Sequence, residues 1–282
     1  MRLKITASSA LSVRFPFNYQ YQLSAAIYNL IAKSSDDYAR FLHDKGFRLE
    51  KIRERSSTNK TSLIKIFKLF TFSKLTFTPY RIGPKGFLDV RTIEFIFSTP
   101  VPESYKHAVL GIFSDNIIRL DLLGQNLFFS VTNVESLPEP VFSGKHTFIC
   151  LSPITVSTSR TTPNGKREQH FLDYLQPEER LKFEDNLQRN LIRKYQALTG
   201  KNLRFSKNFT FCFDLDYIVR RQGNISKLIH FKDDIRIKAF EAPFTIKAKP
   251  ELIQTGYTCG FGEKNSDGFG CVEVIKIDTE GR

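Results

Sequence analysis

The chain has 282 residues, a formal net charge of +13, 41% apolar residues and a mean hydropathy of −0.27. That is enough chain for two modest domains or one large one, and the composition excludes disordered and collagen-like proteins. No window offers the roughly 18 apolar residues of a membrane span, and residues 1–15 lack the layout of a signal peptide, so a cytoplasmic protein with no membrane partner is expected.

Residues 3–7 read as a strand. Residues 21–31 read as a helix, with Leu23, Ile27, Leu30 and Ile31 on one face. Ser34-Ser35-Asp36-Asp37 then offers N-cap chemistry, so a short second helix through Tyr38, Leu42 and His43 is expected to stop at Gly46. Residues 53–62 are polar and turn-like. The stretches 63–78 and 93–98 read as strands, 102–113 as a helix and 126–132 as a strand. This order is the βαββαβ pattern of a ferredoxin-like domain.

Pro138-Glu139-Pro140 breaks the chain. A second βαββαβ order follows: strand 146–151, then a long helix with a Leu187, Leu191, Tyr195 and Leu198 stripe whose Arg189, Arg193 and Lys194 read as its polar side. Gly200 ends that helix. Strands at 209–213 and 235–246, a short helix at 250–257 and a strand at 271–277 complete the pattern. The predicted fold is therefore α+β, with tandem ferredoxin-like, RRM-like domains at 1–137 and 141–282. The 27 Phe and absent Trp fit sheet faces packed on helices.

Cys150, Cys212, Cys259 and Cys271 form no C-x-x-C pair and have no histidine at ligand spacing, so neither zinc nor a disulfide framework is expected. They read as small core residues. No cofactor is expected. Residues 1–80 hold 14 Lys/Arg against 5 Asp/Glu, and Lys45, Arg48, Lys51, Arg53 and Arg55 form a cluster suited to neutralising phosphates. Near the C-terminus, Gly260-Phe-Gly262-Glu-Lys264-Asn265-Ser266-Asp-Gly268-Phe-Gly270 lies between a predicted helix and a strand. That order is the reverse of a Walker or dinucleotide loop. Glycine at this density lets main-chain N–H groups approach a phosphate, with Lys264, Asn265 and Ser266 as side-chain donors.

Tyr28 in IYNLI, His43 in FLHDKGF, Leu151-Ser152-Pro153-Ile154 and the GFGEKNSDGFG loop together make the chain resemble the CRISPR-associated repeat-processing endoribonucleases, within the superfamily of glycine-loop ferredoxin-like RNA-binding proteins. The resemblance implies metal-independent cleavage of CRISPR repeat RNA, the pre-crRNA, by a monomer or homodimer, with effector-complex subunits as further partners. It also implies catalysis by His43 with Tyr28 and a cation, and RNA contacts from the glycine loop. The alternative is a non-catalytic RNA-binding subunit of a CRISPR ribonucleoprotein.

RNA carries its own nucleophile, because a 2′-hydroxyl can attack the adjacent phosphorus in line and expel the 5′-oxygen, leaving a 2′,3′-cyclic phosphate and a 5′-hydroxyl. One imidazole can serve as base or acid, while a cation meets the developing charge. Tyr28 lies beside an apolar stripe and fits either a core ring or a hydrogen-bond donor. Where the family carries a lysine after the glycine, this chain has Arg48, with Lys45 and Lys51 as neighbouring candidates. His107, His146, His170 and His230 have no clustered partners in the sequence and read as ordinary packed or surface residues.

Overall fold

The computed structural model describes residues 1–49, 65–122, 124–162, 164–232 and 235–275. The first half opens with β1 (Arg2–Pro16), α1 (Gln20–Ser34), α2 (Asp36–Arg40) and a π-helical turn over Phe41–Lys45. An antiparallel pair follows, β2 (Phe47–Leu49) with β3 (Lys65–Phe67). Three short strands, β4 (Thr71–Phe72), β5 (Thr76–Thr78) and β6 (Arg81–Gly83), pair in turn with the long β7 (Gly86–Ser98). Then come α3 (Pro102–Asp115), β8 (Ile117–Leu122) and β9 (Gln125–Leu137).

The main sheet runs β4-β7-β1-β9-β8 and is antiparallel throughout. With β4, β5 and β6 acting as one interrupted strand, the order β9-β1-β7-β4 is that of a ferredoxin-like sheet, and β8 extends its edge. Strand alternation and helix periodicity supply its core: Leu3, Ile5 and Ala7 of β1 meet Leu23, Ile27, Leu30 and Ile31 of α1, all buried.

An irregular stretch joins Leu137 to the second half. There β10 (Lys145–Cys150) precedes β11 (Ser157–Thr161), β12 (Arg167–Phe171) and the long α4 (Pro177–Thr199). The chain continues through β13 (Thr210–Phe213), α5 (Leu215–Arg220), β14 (Ser226–Lys232), β15 (Ile235–Phe240), β16 (Phe244–Lys247), α6 (Pro250–Cys259) and β17 (Val272–Val274). The sheet order β13-β16-β10-β17 is again ferredoxin-like, and β11 with β12 and β14 with β15 are two-stranded additions. Phenylalanines fill this core: Phe148 stacks on Phe244 at 5.4 Å between ring centres, and Phe211 lies 4.8 Å from Phe244. Each such buried ring is worth about 1.5–3 kcal/mol relative to exposure.

The two ferredoxin-like domains meet through buried polar contacts. Arg2 of β1 is fully buried, lies 4.1 Å over the Tyr257 ring and donates from Nη1 to the Val272 carbonyl at 2.9 Å, with Glu273 at 3.5 Å. Thr71 Oγ1 donates to the Phe269 carbonyl at 2.9 Å, and the Lys74 amide to the Leu151 carbonyl at 2.9 Å.

Several sequence expectations need correction. The strand expected over 63–78 is broken in its described part, because Leu69 takes a left-handed φ of 55° and sends β3 to β2 rather than to β7. The strand expected over 235–246 divides at Glu241-Ala242-Pro243: β15 pairs with β14, while β16 joins the four-stranded sheet of the second half. β8 was not expected. Cys212 is exposed, since alternation along β13 turns Phe211 and Phe213 inward instead. The expected turn at 53–62 lies outside the described residues.

Candidate active site

Alongside its apolar face, α1 carries Gln20, Ser24 and Tyr28 at four-residue spacing, so they form a polar stripe. The stripe meets the glycine loop. Ser24 Oγ donates to the Ser266 carbonyl at 2.8 Å, and the Tyr28 hydroxyl is hydrogen-bonded to the Ser266 side chain. Burial raises the Tyr28 pKa above its ordinary value; the Ser266 bond opposes this and the Asp267 charge reinforces it. The phenol therefore stays protonated and able to donate.

The segment after α1 brings histidine to the same place. Ser35 Oγ caps α2 by accepting from the Tyr38 amide at 3.2 Å. The next turn widens to π-helical spacing, with the Gly46 amide reaching the Phe41 carbonyl at 2.6 Å. His43 projects from this turn with its side chain 79% exposed, and its ring meets Tyr28 edge to face at 6.2 Å. Its Nδ1 lies 2.7 Å from Asp44 Oδ1. A proton on Nδ1 is held by that carboxylate, which leaves Nε2 for substrate.

Gly46 has a φ of +53°, and a Cβ there would lie 2.7 Å from Ile66 Cγ2 and 2.8 Å from the Phe67 carbonyl oxygen. Only glycine lets β2 turn so closely against β3. That pairing delivers Lys68, whose Nζ donates to the Leu42 and His43 carbonyls. Burial lowers the Lys68 pKa, while Asp44 and Asp267 oppose the shift. Sequence reasoning missed Lys68, because its approach to His43 depends on the β2–β3 register.

Arg48 is exposed on β2 opposite Ile66, on the face away from Phe47 and Leu49, which pack on the small Phe67 and Leu69 cluster. Lys45 is exposed at the end of the π-helical turn. Lys51 and Arg53 lie outside the described residues. His170 pairs with Glu179 at 2.7 Å and His107 Nδ1 with Ser34 Oγ at 2.9 Å, so each has a local partner.

The glycine loop is folded around a buried lysine. Lys194 of α4 is 2% exposed and donates to the Gly260 carbonyl at 2.6 Å, the Gly262 carbonyl at 2.7 Å and Asn265 Oδ1 at 2.5 Å. Burial pushes its pKa down to about 7. The three oxygens oppose that shift, because they match the three donors of an ammonium while a neutral amine would turn a lone pair toward one of them. Asn265 Nδ2 closes the loop by donating to the Phe261 and Phe269 carbonyls.

Gly260, Gly262, Gly268 and Gly270 all have positive φ and are buried. A Cβ on Gly262 would lie 2.3 Å from the Thr155 carbonyl oxygen. Of the loop residues expected to meet RNA, Lys264 and Ser266 are the partly exposed ones, whereas the glycines and Asn265 face the interior. Lys264, Ser266 and Asp267 line a cavity of about 480 Å³ together with Lys65, Lys68 and Glu263. Among the described residues, no three His, Cys, Asp or Glu side chains are grouped to hold a metal ion.

A glycine loop braced between two ferredoxin-like domains, with a histidine, a tyrosine and a lysine at its rim, defines the class of protein. Residues 137–274 match the family model described as CRISPR associated protein Cas6, C-terminal. The chain is similar to the CRISPR-associated endoribonuclease Cas6 1 of Methanocaldococcus jannaschii, 29% identical over 98% of this chain and 93% of that protein. It is also 29% identical to the CRISPR-associated endoribonuclease Cas6 of Pyrococcus furiosus, over 93% of this chain and 84% of the other. A solved structure described as CRISPR associated protein Cas6 superposes with a TM-score of 0.72 at 28% identity, covering 98% of this chain and 99% of its own. The similarity to named Cas6 proteins thus runs over nearly the whole chain, and residues 137–274 carry the match to the family's C-terminal model.

Proposed function

We propose that the protein cuts CRISPR repeat RNA within each repeat to release guide RNAs, by 2′-hydroxyl attack and without a metal ion. The observation that carries this reading is the meeting of His43 with Tyr28 and with Lys68, the last of which lines the glycine-loop cavity. The naming of its relatives as endoribonucleases supports it.

In this mechanism His43 Nε2 exchanges the proton of the 2′-hydroxyl or of the departing 5′-oxygen. The neutral Tyr28 phenol donates to the phosphate or to the leaving oxygen. The Lys68 ammonium faces the charge that builds on the phosphorane-like transition state. The bond from the 2′-oxygen to phosphorus forms as the bond to the 5′-oxygen breaks, giving a 2′,3′-cyclic phosphate and a 5′-hydroxyl. Lys45 and Arg48, both exposed, serve flanking phosphates in this reading.

Incubation of repeat RNA with the protein in EDTA tests the proposal. Cleavage persists on chelation and stops when the scissile nucleotide is 2′-deoxy; loss of cutting in EDTA, or cutting of the deoxy substrate, refutes it. Lys68→Ala slows the single-turnover rate by about 10²-fold, the scale of losing one transition-state donor. Arg48→Ala instead weakens binding. The reverse pattern in rate and affinity would move the catalytic cation to Arg48.

A further inference from the structure

The glycine-loop cavity opens onto a second groove of about 600 Å³, between α4 and the β11–β12 pair, and the two share Lys65, Ser157, Gln169 and Glu263. Lys65, Arg167, Arg189 and Arg193 line this groove against two carboxylates, Glu168 and Glu263. Both carboxylates are already engaged. Glu168 takes Arg160 at 2.9 Å, and Glu263 takes Lys65 at 3.2 Å and the Ser157 hydroxyl at 2.5 Å.

Arg189 and Arg193 stand one turn apart on α4, a like-charge spacing that works against the helix. Among the described residues, neither they nor Arg167 form a salt bridge within 4.0 Å. Arg193 is half-buried; burial chiefly lowers its pKa, and the Arg189 charge adds to that. Arg189 is held in place with its guanidinium 4.8 Å from the centre of the Phe205 ring. The Arg189 fork held in this way, and that of Arg193, which feels the Glu263 charge but forms no ion pair with it, match the oxygens of a phosphodiester.

We propose that this groove holds the backbone of the RNA strand flanking the scissile bond, with Arg189 and Arg193 neutralising neighbouring phosphates. The proposal rests on the ribonuclease reading above. The continuity of the two cavities is what favours RNA, because a strand that meets Lys68 beside His43 can continue from that cavity along the neighbouring groove.

The test uses the full chain and repeat RNA made uncleavable by a 2′-deoxy nucleotide at the cut site, with affinity measured across salt concentrations. A single strand loses a slope of about 0.7 in log K against log salt for each phosphate contact removed. The Arg189→Gln, Arg193→Gln double variant therefore flattens the slope by about 1.4, and Arg167→Gln flattens it by about 0.7. Arg167 is exposed on β12, so its substitution leaves the α4 packing intact and decides the question if the double variant fails to fold. Wild-type slopes in folded variants overturn the groove, as does a wild-type slope in Arg167→Gln if only that variant folds. Those results leave cleavage by the wild-type protein standing. A wild-type protein that neither binds nor cuts repeat RNA refutes the ribonuclease reading instead.

Discussion

His43→Ala is expected to slow cleavage of repeat RNA by about 10²–10⁴-fold, the usual worth of a positioned acid or base. Affinity for the uncleavable RNA should stay close to that of the wild type. The distinction is available because the ring is exposed and makes its described hydrogen bond only to the adjacent Asp44. Its removal opens no cavity in the core and should change stability by no more than about 0.5 kcal/mol. Single-turnover cleavage, a binding titration and a melting curve on the same preparation separate the outcomes. Unchanged cleavage would remove His43 from the mechanism. Parallel losses of affinity and melting temperature would make it a structural residue.

The second large effect is one of stability. Lys194→Met keeps the length of the side chain and removes its donors, leaving the Gly260 and Gly262 carbonyls and Asn265 Oδ1 without the partner that now joins them. Each buried acceptor left without its donor costs about 1–3 kcal/mol, so the three together cost about 3–5 kcal/mol once the lysine's own desolvation is relieved. For a chain of this size that lowers the melting temperature by on the order of 10 °C. Cleavage should fall as well, because Ser266, which bonds Tyr28 and Ser24, is carried by the same loop. A melting temperature within a degree of wild type would mean that the loop holds its shape without the lysine.

Lys194 also shows where sequence reasoning stops. On a helical wheel it falls with Leu187, Leu191 and Leu198, away from Arg189 and Arg193, yet its charge places all three on the polar side of α4 in the sequence reading. The structure separates them: Lys194 points into the glycine loop, while Arg189 and Arg193 line a groove. The helical spacing marks that difference, but what receives the ammonium is set by an element more than sixty residues away. Gln20 and Ser24 are a milder case. Their spacing with Tyr28 was visible, but a polar stripe beside an apolar face looks solvated until the other domain is placed against it.

What was legible came from short-range chemistry. The apolar face of α1, the Ser35 cap, the stop at Gly46 and the second βαββαβ order all depend on residues within a few turns of one another. The four glycines were conspicuous for a related reason, each needing positive φ. Their purpose was not legible, because the crowding that demands them comes from Thr155, Phe72 and Phe261. Lys68 escaped notice because it reaches His43 only after the chain has returned through β3.

The burial of Arg2 limits how this chain can be recombined with its relatives. Its guanidinium leaves the first strand to occupy a socket formed by Tyr257, Val272 and Glu273 near the opposite end of the chain. A chimera that borrows either half from a relative must therefore import the plug together with its socket. Otherwise an unmatched cation is sealed into the seam, and the halves cannot be traded as independent building blocks.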